Sequence, residues 1–146
     1  MADPFKDGLD AYNSGDYVTA LRLWRPLTEQ GDARAQNKLG LMYFNGQGVP
    51  QDHAEAAKWY RLAAEQGLAE AQYNLGVMHR VGQGVSQDYV QAHMWINLAM
   101  FRLGPGLTRD QAVEGRDWVA ERMTPAQIAE AQKLARQWWK RRKQYE

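Results

Sequence analysis

The 146-residue sequence contains no cysteine. Disulfide bonds, thiol nucleophiles and cysteine-ligated zinc or iron–sulfur sites are therefore excluded. No run of about 18 apolar residues is present, so the sequence predicts no membrane-spanning helix. Nor does any stretch alternate apolar and polar residues as a half-buried β-strand does, which favours an all-α fold.

Charge is distributed unevenly along the chain, although the formal net charge is only +1. Residues 131–146 contain six basic residues and one acidic residue, whereas the preceding 130 residues sum to −4. The sequence thus combines a mildly acidic body with a basic tail.

Two segments of 36 residues, 32–67 and 68–103, repeat one another without a gap. Sixteen of the 36 positions are identical, a density that chance does not produce. A shorter copy precedes them, since Ala20 lies 36 residues before Ala56. A repeat of this period predicts an array of supersecondary units, each of which buries its apolar face against its neighbours.

Each unit is predicted to be a hairpin of two α-helices. In residues 33–45, apolar side chains recur at i, i+4, i+7 and i+8, as on one face of a helix. Gly46 can adopt the left-handed conformation that ends many helices, and Asp52 is suited to cap the next helix. The predicted apolar stripe of that second helix is Ala56, Trp59, Leu62 and Ala63.

The loops NGQGVPQD (45–52) and VGQGVSQD (81–88) raise two alternatives, a phosphate-binding loop or a structural turn. Phosphate-binding loops follow a strand, and the P-loop type ends in Lys-Ser or Lys-Thr. Here the glycines follow a helical segment and no such pair comes after them. The structural turn is therefore favoured.

The chain departs from the repeat after residue 103. Leu-Gly-Pro-Gly (103–106) interrupts the helical pattern, and Thr108–Gln111 and Thr124–Gln127 each fit a capping box. These signals predict helices at about 109–122 and 125–143. Such helices can cover the open end of the last repeat, as terminal caps do.

The pattern L-G-x-M-x-x-x-G-Q-G-V-x-Q-D-x-x-x-A-x-x-W, at residues 39–59 and 75–95, resembles the Sel-one-like repeat (SLR), a relative of the tetratricopeptide repeat. The resemblance implies an all-α, right-handed α-α superhelix of about three helical hairpins with a two-helix C-terminal cap. It also implies a non-catalytic protein-interaction scaffold, of a kind common in bacteria and often periplasmic. The expected divisions of a single 1–146 domain are a short tetratricopeptide-like hairpin (5–31), two repeats (32–67 and 68–103) and the capping helices with the basic tail (108–146).

The resemblance further implies a concave groove lined by the first helix of each hairpin, around Gly8, Gly40 and Gly76. Several groove positions differ between the copies, and many are apolar or aromatic, which favours a binding surface over a solvated face. The expected ligand is an extended peptide or a partner helix, with specificity from the polar positions. The candidate partner-binding residues are Phe5, Leu9, Tyr12, Arg34, Asn37, Leu41, Phe44, Glu70, Tyr73, Val77 and Arg80.

The remaining histidine and tryptophan side chains, which could in principle bind a metal or a partner, are interpreted mostly as structural. His53, His79 and His93 form no H-E-x-x-H motif and are expected at the surface or in packing. Trp139 is expected to lie partly exposed beside the basic run. The tryptophans that recur at helical spacing and are predicted to lie in the core are Trp24, Trp59, Trp95 and Trp118.

The basic run after Trp138-Trp139 could contact nucleic acid, anionic lipid or an acidic protein. It could equally be a solvated helix end, where cations interact favourably with the helix dipole. The solvated end is favoured, and a nucleic-acid partner is not expected.

We therefore expect a non-enzymatic monomer that binds a protein or peptide without a cofactor or metal. Two alternatives stay open: a metal-binding or enzymatic accessory protein using His79 or His93, and a self-associating structural unit. The polar start Met-Ala-Asp-Pro-Phe would suit a mature N-terminus behind an added Met. A periplasmic or secreted location is thus expected, with a cytoplasmic one open.

Overall fold

The computed structural model describes residues 1–144, and only the backbone of residue 107. Tyr145 and Glu146, the end of the predicted basic tail, lie outside the described residues. Within 1–144 the chain is all α-helix, as predicted, with no strand. The eight helices are α1 (Pro4–Asn13), α2 (Tyr17–Glu29), α3 (Ala33–Asn45), α4 (His53–Glu65), α5 (Ala69–Val81), α6 (Tyr89–Arg102), α7 (Leu107–Ala120) and α8 (Pro125–Lys143).

The chain divides into two compact units, Met1–Ala71 and Gln72–Glu146. The first unit contains α1 to α4 and the first turn of α5. The second contains the rest of α5 and the helices that follow it. The predicted single domain over 1–146 stays a prediction.

In the first unit, glycines let the helices of each hairpin approach closely. Gly8 of α1 packs directly on the Trp24 indole, whose Nε1 donates a hydrogen bond to the carbonyl of Phe5 over 3.1 Å. A Cβ atom on Gly40 of α3 would lie 2.7 Å from Cδ1 of Tyr60 on α4. Both aromatic rings are buried, so the two hairpins share one packing scheme.

The G-Q-G-V-x-Q-D loops stabilise the helices on both of their sides. The Gln51 amide donates a hydrogen bond to the Phe44 carbonyl near the end of α3, over 3.0 Å. In the second copy, Gln87 makes the same bond to the Arg80 carbonyl over 3.1 Å. The loop glutamine thus secures the preceding helix end in each repeat, and the aspartate after it starts the next helix.

The first loop also joins its hairpin to the preceding one. The Tyr12 hydroxyl donates a hydrogen bond to Oε1 of Gln47 over 2.8 Å. The amide of Gln47 in turn donates to the Tyr17 hydroxyl over 3.3 Å. The loop is therefore an inter-repeat contact as well as a turn.

Helix α6 lies at the centre of the second unit, because α7 and α8 both pack on it. Ile96 of α6 fills the space beside Gly76 of α5 and reaches Gly115 of α7. Trp95 is 2% exposed and lies 6.5 Å, ring to ring, from Trp138 of α8. Trp138 and α8 thereby form part of the core of this unit.

Most predicted helix boundaries are confirmed. Asp16, Asp52 and Asp88 are N-caps whose carboxylates accept backbone N–H groups, and Gly46 ends α3 in the left-handed conformation. Thr124 forms the predicted capping box at the start of α8.

The predicted N-cap at Thr108 is wrong. Helix α7 begins at residue 107, and Gly106 is its N-cap, with no side-chain cap bond. Gly106 has φ +149° and ψ −173°, a conformation that side chains disfavour. This glycine-specific bend starts the helix earlier than the capping-box pattern indicated.

Two of the four tryptophans predicted for the core are not buried. Trp118 is 38% exposed, and Trp59 is half-buried at the edge of α4. Leu62, predicted for the same stripe, is 43% exposed. The buried face of α4 is centred instead on Tyr60, because the neighbouring alanines form a narrow stripe there. The buried residues of α4 are Ala56, Ala57, Tyr60, Ala63 and Ala64.

Candidate functional site

An open cleft of about 370 Å³ lies on the first unit. Its walls come from α1, α3 and the start of α5, and they combine an apolar floor with charges of both signs. The lining residues are Phe5, Leu9, Arg34, Asn37, Lys38, Leu68 and Glu70.

Arg34 makes two local contacts at the wall of this first cleft. Its guanidinium lies 4.2 Å from the Phe5 ring centroid and pairs with Asp32, with 3.1 Å between Nη2 and Oδ2. Burial alone would raise the pKa of Asp32. Hydrogen bonds from the Arg34 side chain and from the backbone N–H groups of Ala35 and Arg34 outweigh it, so this pKa lies below 3.8. The pairing fixes a stacked cation beside an apolar surface.

A second open cleft, of about 270 Å³, lies on the second unit between α5 and α7. It is more aromatic than the first cleft and also carries a basic and an acidic side chain. The lining residues are Tyr73, Arg80, Gln111, Glu114, Gly115 and Trp118.

Trp118 is the lining residue of this second cleft that has the most aromatic and cationic neighbours. The Arg80 guanidinium lies 5.3 Å from its ring centroid and the Arg122 guanidinium 3.5 Å from it. The Tyr89 ring contacts it edge-on at 6.1 Å. Arg122 is further engaged by the Trp118 carbonyl and Glu121, whereas Arg80 forms no ion pair with any residue in 1–144. A partly exposed indole next to a guanidinium that has no ion pair within residues 1–144 can contact both apolar and anionic groups.

The structure places the eleven predicted groove residues in three groups. Five line the first cleft: Phe5, Leu9, Arg34, Asn37 and Glu70. Two line the second cleft: Tyr73 and Arg80. The other four, Tyr12, Leu41, Phe44 and Val77, line neither cleft.

Local packing accounts for two of these four positions. Tyr12 packs into the core of the first unit and hydrogen-bonds the Gln47 loop. The Phe44 ring contacts the His53 ring at a tilt of 37°, with ring centroids 4.6 Å apart. Asn37, although it lines the first cleft, is only 9% exposed, so its side chain is mostly committed to packing.

Six of the lining residues are not among the predicted groove residues. Lys38 and Leu68 were not assigned to the groove, and the whole contribution of α7 was missed because that helix was interpreted only as a cap. No repeat signal marks α7, because the motif at residues 39–59 and 75–95 does not recur in it. The α7 residues concerned are Gln111, Glu114, Gly115 and Trp118.

The histidines have mainly packing roles. His79 and His93 are buried, and His53 is half-buried against Phe44. Burial, together with the nearby Arg116, lowers the pKa of His93 below 6.5. Among residues 1–144, no three His, Asp or Glu side chains converge as a metal ion would require.

No helix within residues 1–144 combines the length and apolar content that crossing a bilayer requires.

Comparison with known families finds a match to the Sel1 repeat at residues 33–68 and again at 69–100. No curated protein matches the chain.

Solved structures similar to the chain include two proteins with this type of repeat. One is a protective antigen present in uropathogenic Escherichia coli strains and displaying an SLR fold, with 31% identity over 92% of the chain and a TM-score of 0.83. Another is a Sel1 repeat protein from Oxalobacter formigenes, with 30% identity over 79% of the chain and a TM-score of 0.71. The chain spans only 29% and 45% of the lengths of these two proteins.

Proposed function

Because the chain belongs to the Sel1-like repeat family, we propose that it is a non-catalytic scaffold that binds segments of partner protein in two separate clefts, one on each unit. Repeats of this family commonly serve protein interaction, and such scaffolds are generally not enzymes. The proposal assigns that general role to particular surfaces of this chain.

The observation that carries the proposal is the composition of the second cleft. Trp118 is a large aromatic side chain left 38% exposed on a folded unit, at the wall of a concave surface. Tryptophan and arginine dominate the binding energy of protein interfaces, and here Arg80 stacks beside the exposed indole. Tyr73 adds a second aromatic surface within the same cleft.

The side chains that line each cleft indicate which side chains of a partner would fit there. An apolar or aromatic side chain would pack against Trp118 and Tyr73, while an acidic group would pair with the Arg80 guanidinium. Glu114 would disfavour a second acidic group on the other side. In the first cleft, Lys38 and Glu70 offer charges of both signs around the apolar surface of Phe5 and Leu9.

The test begins with peptides selected from a random displayed library against the purified chain. Their affinities are then measured by fluorescence polarisation for the wild type, for Trp118→Ala and for Trp59→Ala. Trp59 is the matched control, because it is a partly exposed tryptophan on α4 outside both clefts.

We expect Trp118→Ala to weaken binding by about tenfold or more, as removal of an interface hot spot does. Trp59→Ala should change the affinity by less than about twofold. Circular dichroism establishes that both variants are folded. The proposal is wrong if no peptide is selected, or if the two variants weaken binding equally.

A further inference from the structure

Helix α8 carries a stripe of exposed cations that the proposed clefts do not use. The helix contains six basic residues and one acidic residue, Glu130. Four of the basic residues recur at the i, i+3, i+7 and i+10 positions that share one helical face. These are Lys133, Arg136, Lys140 and Lys143, and all four are exposed.

This cationic stripe lies opposite the face by which α8 packs. The buried residues Ala131, Ala135 and Trp138 lie on the other side of the helix, at 100° per residue. The four cations therefore project away from the core along about 15 Å of a straight helix. Such an arrangement presents the charges together to one flat surface.

Trp139 lies at one edge of the stripe, and its contact residue Arg102 is preceded in the chain by an exposed phenylalanine. Trp139 is half-buried, and the guanidinium of Arg102 lies 4.7 Å from its ring centroid. Phe101, which directly precedes Arg102, is 70% exposed. An exposed phenylalanine, one residue before the arginine that contacts Trp139, adds the aromatic component found in surfaces that enter the headgroup region of a bilayer.

The aromatic geometry favours a lipid surface over single-stranded nucleic acid. Proteins that bind single strands offer open aromatic faces on which bases stack. Here Trp138 is only 4% exposed and Trp139 is half-buried, and the two rings contact one another edge-on at 5.3 Å. Neither indole therefore offers an open platform to a base.

We propose that the cationic stripe of α8, together with Phe101 and Trp139, docks the protein on an anionic phospholipid surface. The cations are attracted by the negative headgroups, and the Phe101 ring enters the boundary between headgroups and acyl chains. Clusters of four to eight basic residues suffice for such attraction, with about a fivefold gain in partitioning for each residue. The interaction is peripheral and reversible.

The test measures co-sedimentation of the chain with two kinds of vesicle. One is phosphatidylcholine alone, and the other contains equal parts of phosphatidylcholine and phosphatidylglycerol. We expect binding only to the anionic vesicles, and a steep loss of binding between about 50 and about 300 mM salt, because salt shortens the range of the attraction.

Matched variants distinguish the effect of the α8 cations from that of the same number of cations elsewhere on the protein. Replacement of Lys133, Arg136 and Lys140 by glutamine should lower partitioning by about a hundredfold. The control replaces the same number of exposed cations on α1 and α2 by glutamine, namely Lys6, Arg22 and Arg25. This control should retain most of the binding. Phe101→Ser should weaken binding several-fold without changing its salt dependence.

Several results would overturn this proposal. They are equal binding to both vesicles, no binding to either, and an equal loss in the two triple variants. Binding of a mixed-sequence single-stranded oligonucleotide that needs the α8 cations, without vesicle binding, would assign the stripe to nucleic acid instead. If Phe101→Ser partitions as strongly as the wild type, the Phe101 ring does not enter the bilayer.

Discussion

Corresponding glycines on the first helices of the hairpins leave no room for a methyl group. Gly8 packs on Trp24, Gly40 on Tyr60, and Gly76 on Ile96 and the backbone of α6. Each glycine thus fixes the distance between the two helices of its hairpin. A glycine in a helix interior is otherwise unfavourable by about 1 kcal/mol relative to alanine, so close packing must offset that cost.

Gly40→Ala tests this packing directly. The added methyl would lie 2.7 Å from the buried Tyr60 ring, and overpacking of this kind costs about 1–3 kcal/mol, which exceeds the gain in helix propensity. We expect a lower free energy of unfolding in a urea titration.

Gly115→Ala provides the matched control for Gly40→Ala. Its methyl would meet Ile96 at an ordinary 3.7 Å, so the same substitution should be neutral or stabilising by up to about 1 kcal/mol. Equal destabilisation of the two variants would show that close approach is not what selects glycine at position 40.

Single residues also mark the limits of prediction from this sequence. Trp59 and Trp95 occupy the same position in successive repeats and look equivalent, yet only Trp95 is buried. The difference arises because Trp95 lies under α8, which the repeat pattern does not include. Periodicity identifies the helix and its approximate face, whereas burial at the edge of that face depends on which helix comes next.

At the scale of elements, the loop G-Q-G-V-x-Q-D works as a connector with three separate parts. Gly46 ends α3 with φ +67°, Gln51 binds the carbonyl of Phe44, and Asp52 caps α4. Gly46 and Asp52 could be predicted from the sequence as turn and cap signals. The hydrogen bond of Gln51 could not, because its partner lies seven residues away. The pairing of Gln47 with the preceding hairpin was also not predictable, because it depends on tertiary contact.

Gly46→Val tests the connector. Valine is strained at positive φ, and its Cβ would lie 3.1 Å from Cβ of Gln51, so we expect a loss of about 2–3 kcal/mol in the free energy of unfolding. Gly46→Asn, which tolerates the left-handed region better, should lose less than about 1 kcal/mol. A valine variant as stable as the asparagine variant would contradict this explanation.

Helix α7 is the element whose role and starting residue were predicted least well from the sequence. Its existence was predicted, but its role was taken to be that of a cap, and its start was placed too late. In the structure it supplies one wall of the second cleft, including Trp118. The cleft could not be predicted because α7 lacks the repeat motif.

At the scale of the whole molecule, seven of the eleven predicted groove residues line one of the two clefts. The helical-repeat fold was predictable, because the repeat sets the order of the helices and their packing glycines. The lining of the two clefts was only partly predictable, because Lys38, Leu68 and the α7 residues lie outside the first-helix pattern of the repeats. The periplasmic or secreted location stays a prediction.

The most direct test of the interaction-scaffold account is an NMR titration of the ¹⁵N-labelled chain with a selected peptide. The account predicts that shifts concentrate on residues lining either cleft. For a peptide whose affinity depends on Trp118, it predicts shifts of the Trp118 indole N–H and of the amides of α5 and α7. Shifts confined to Trp59 and the second helices α2, α4 and α6 would contradict the account.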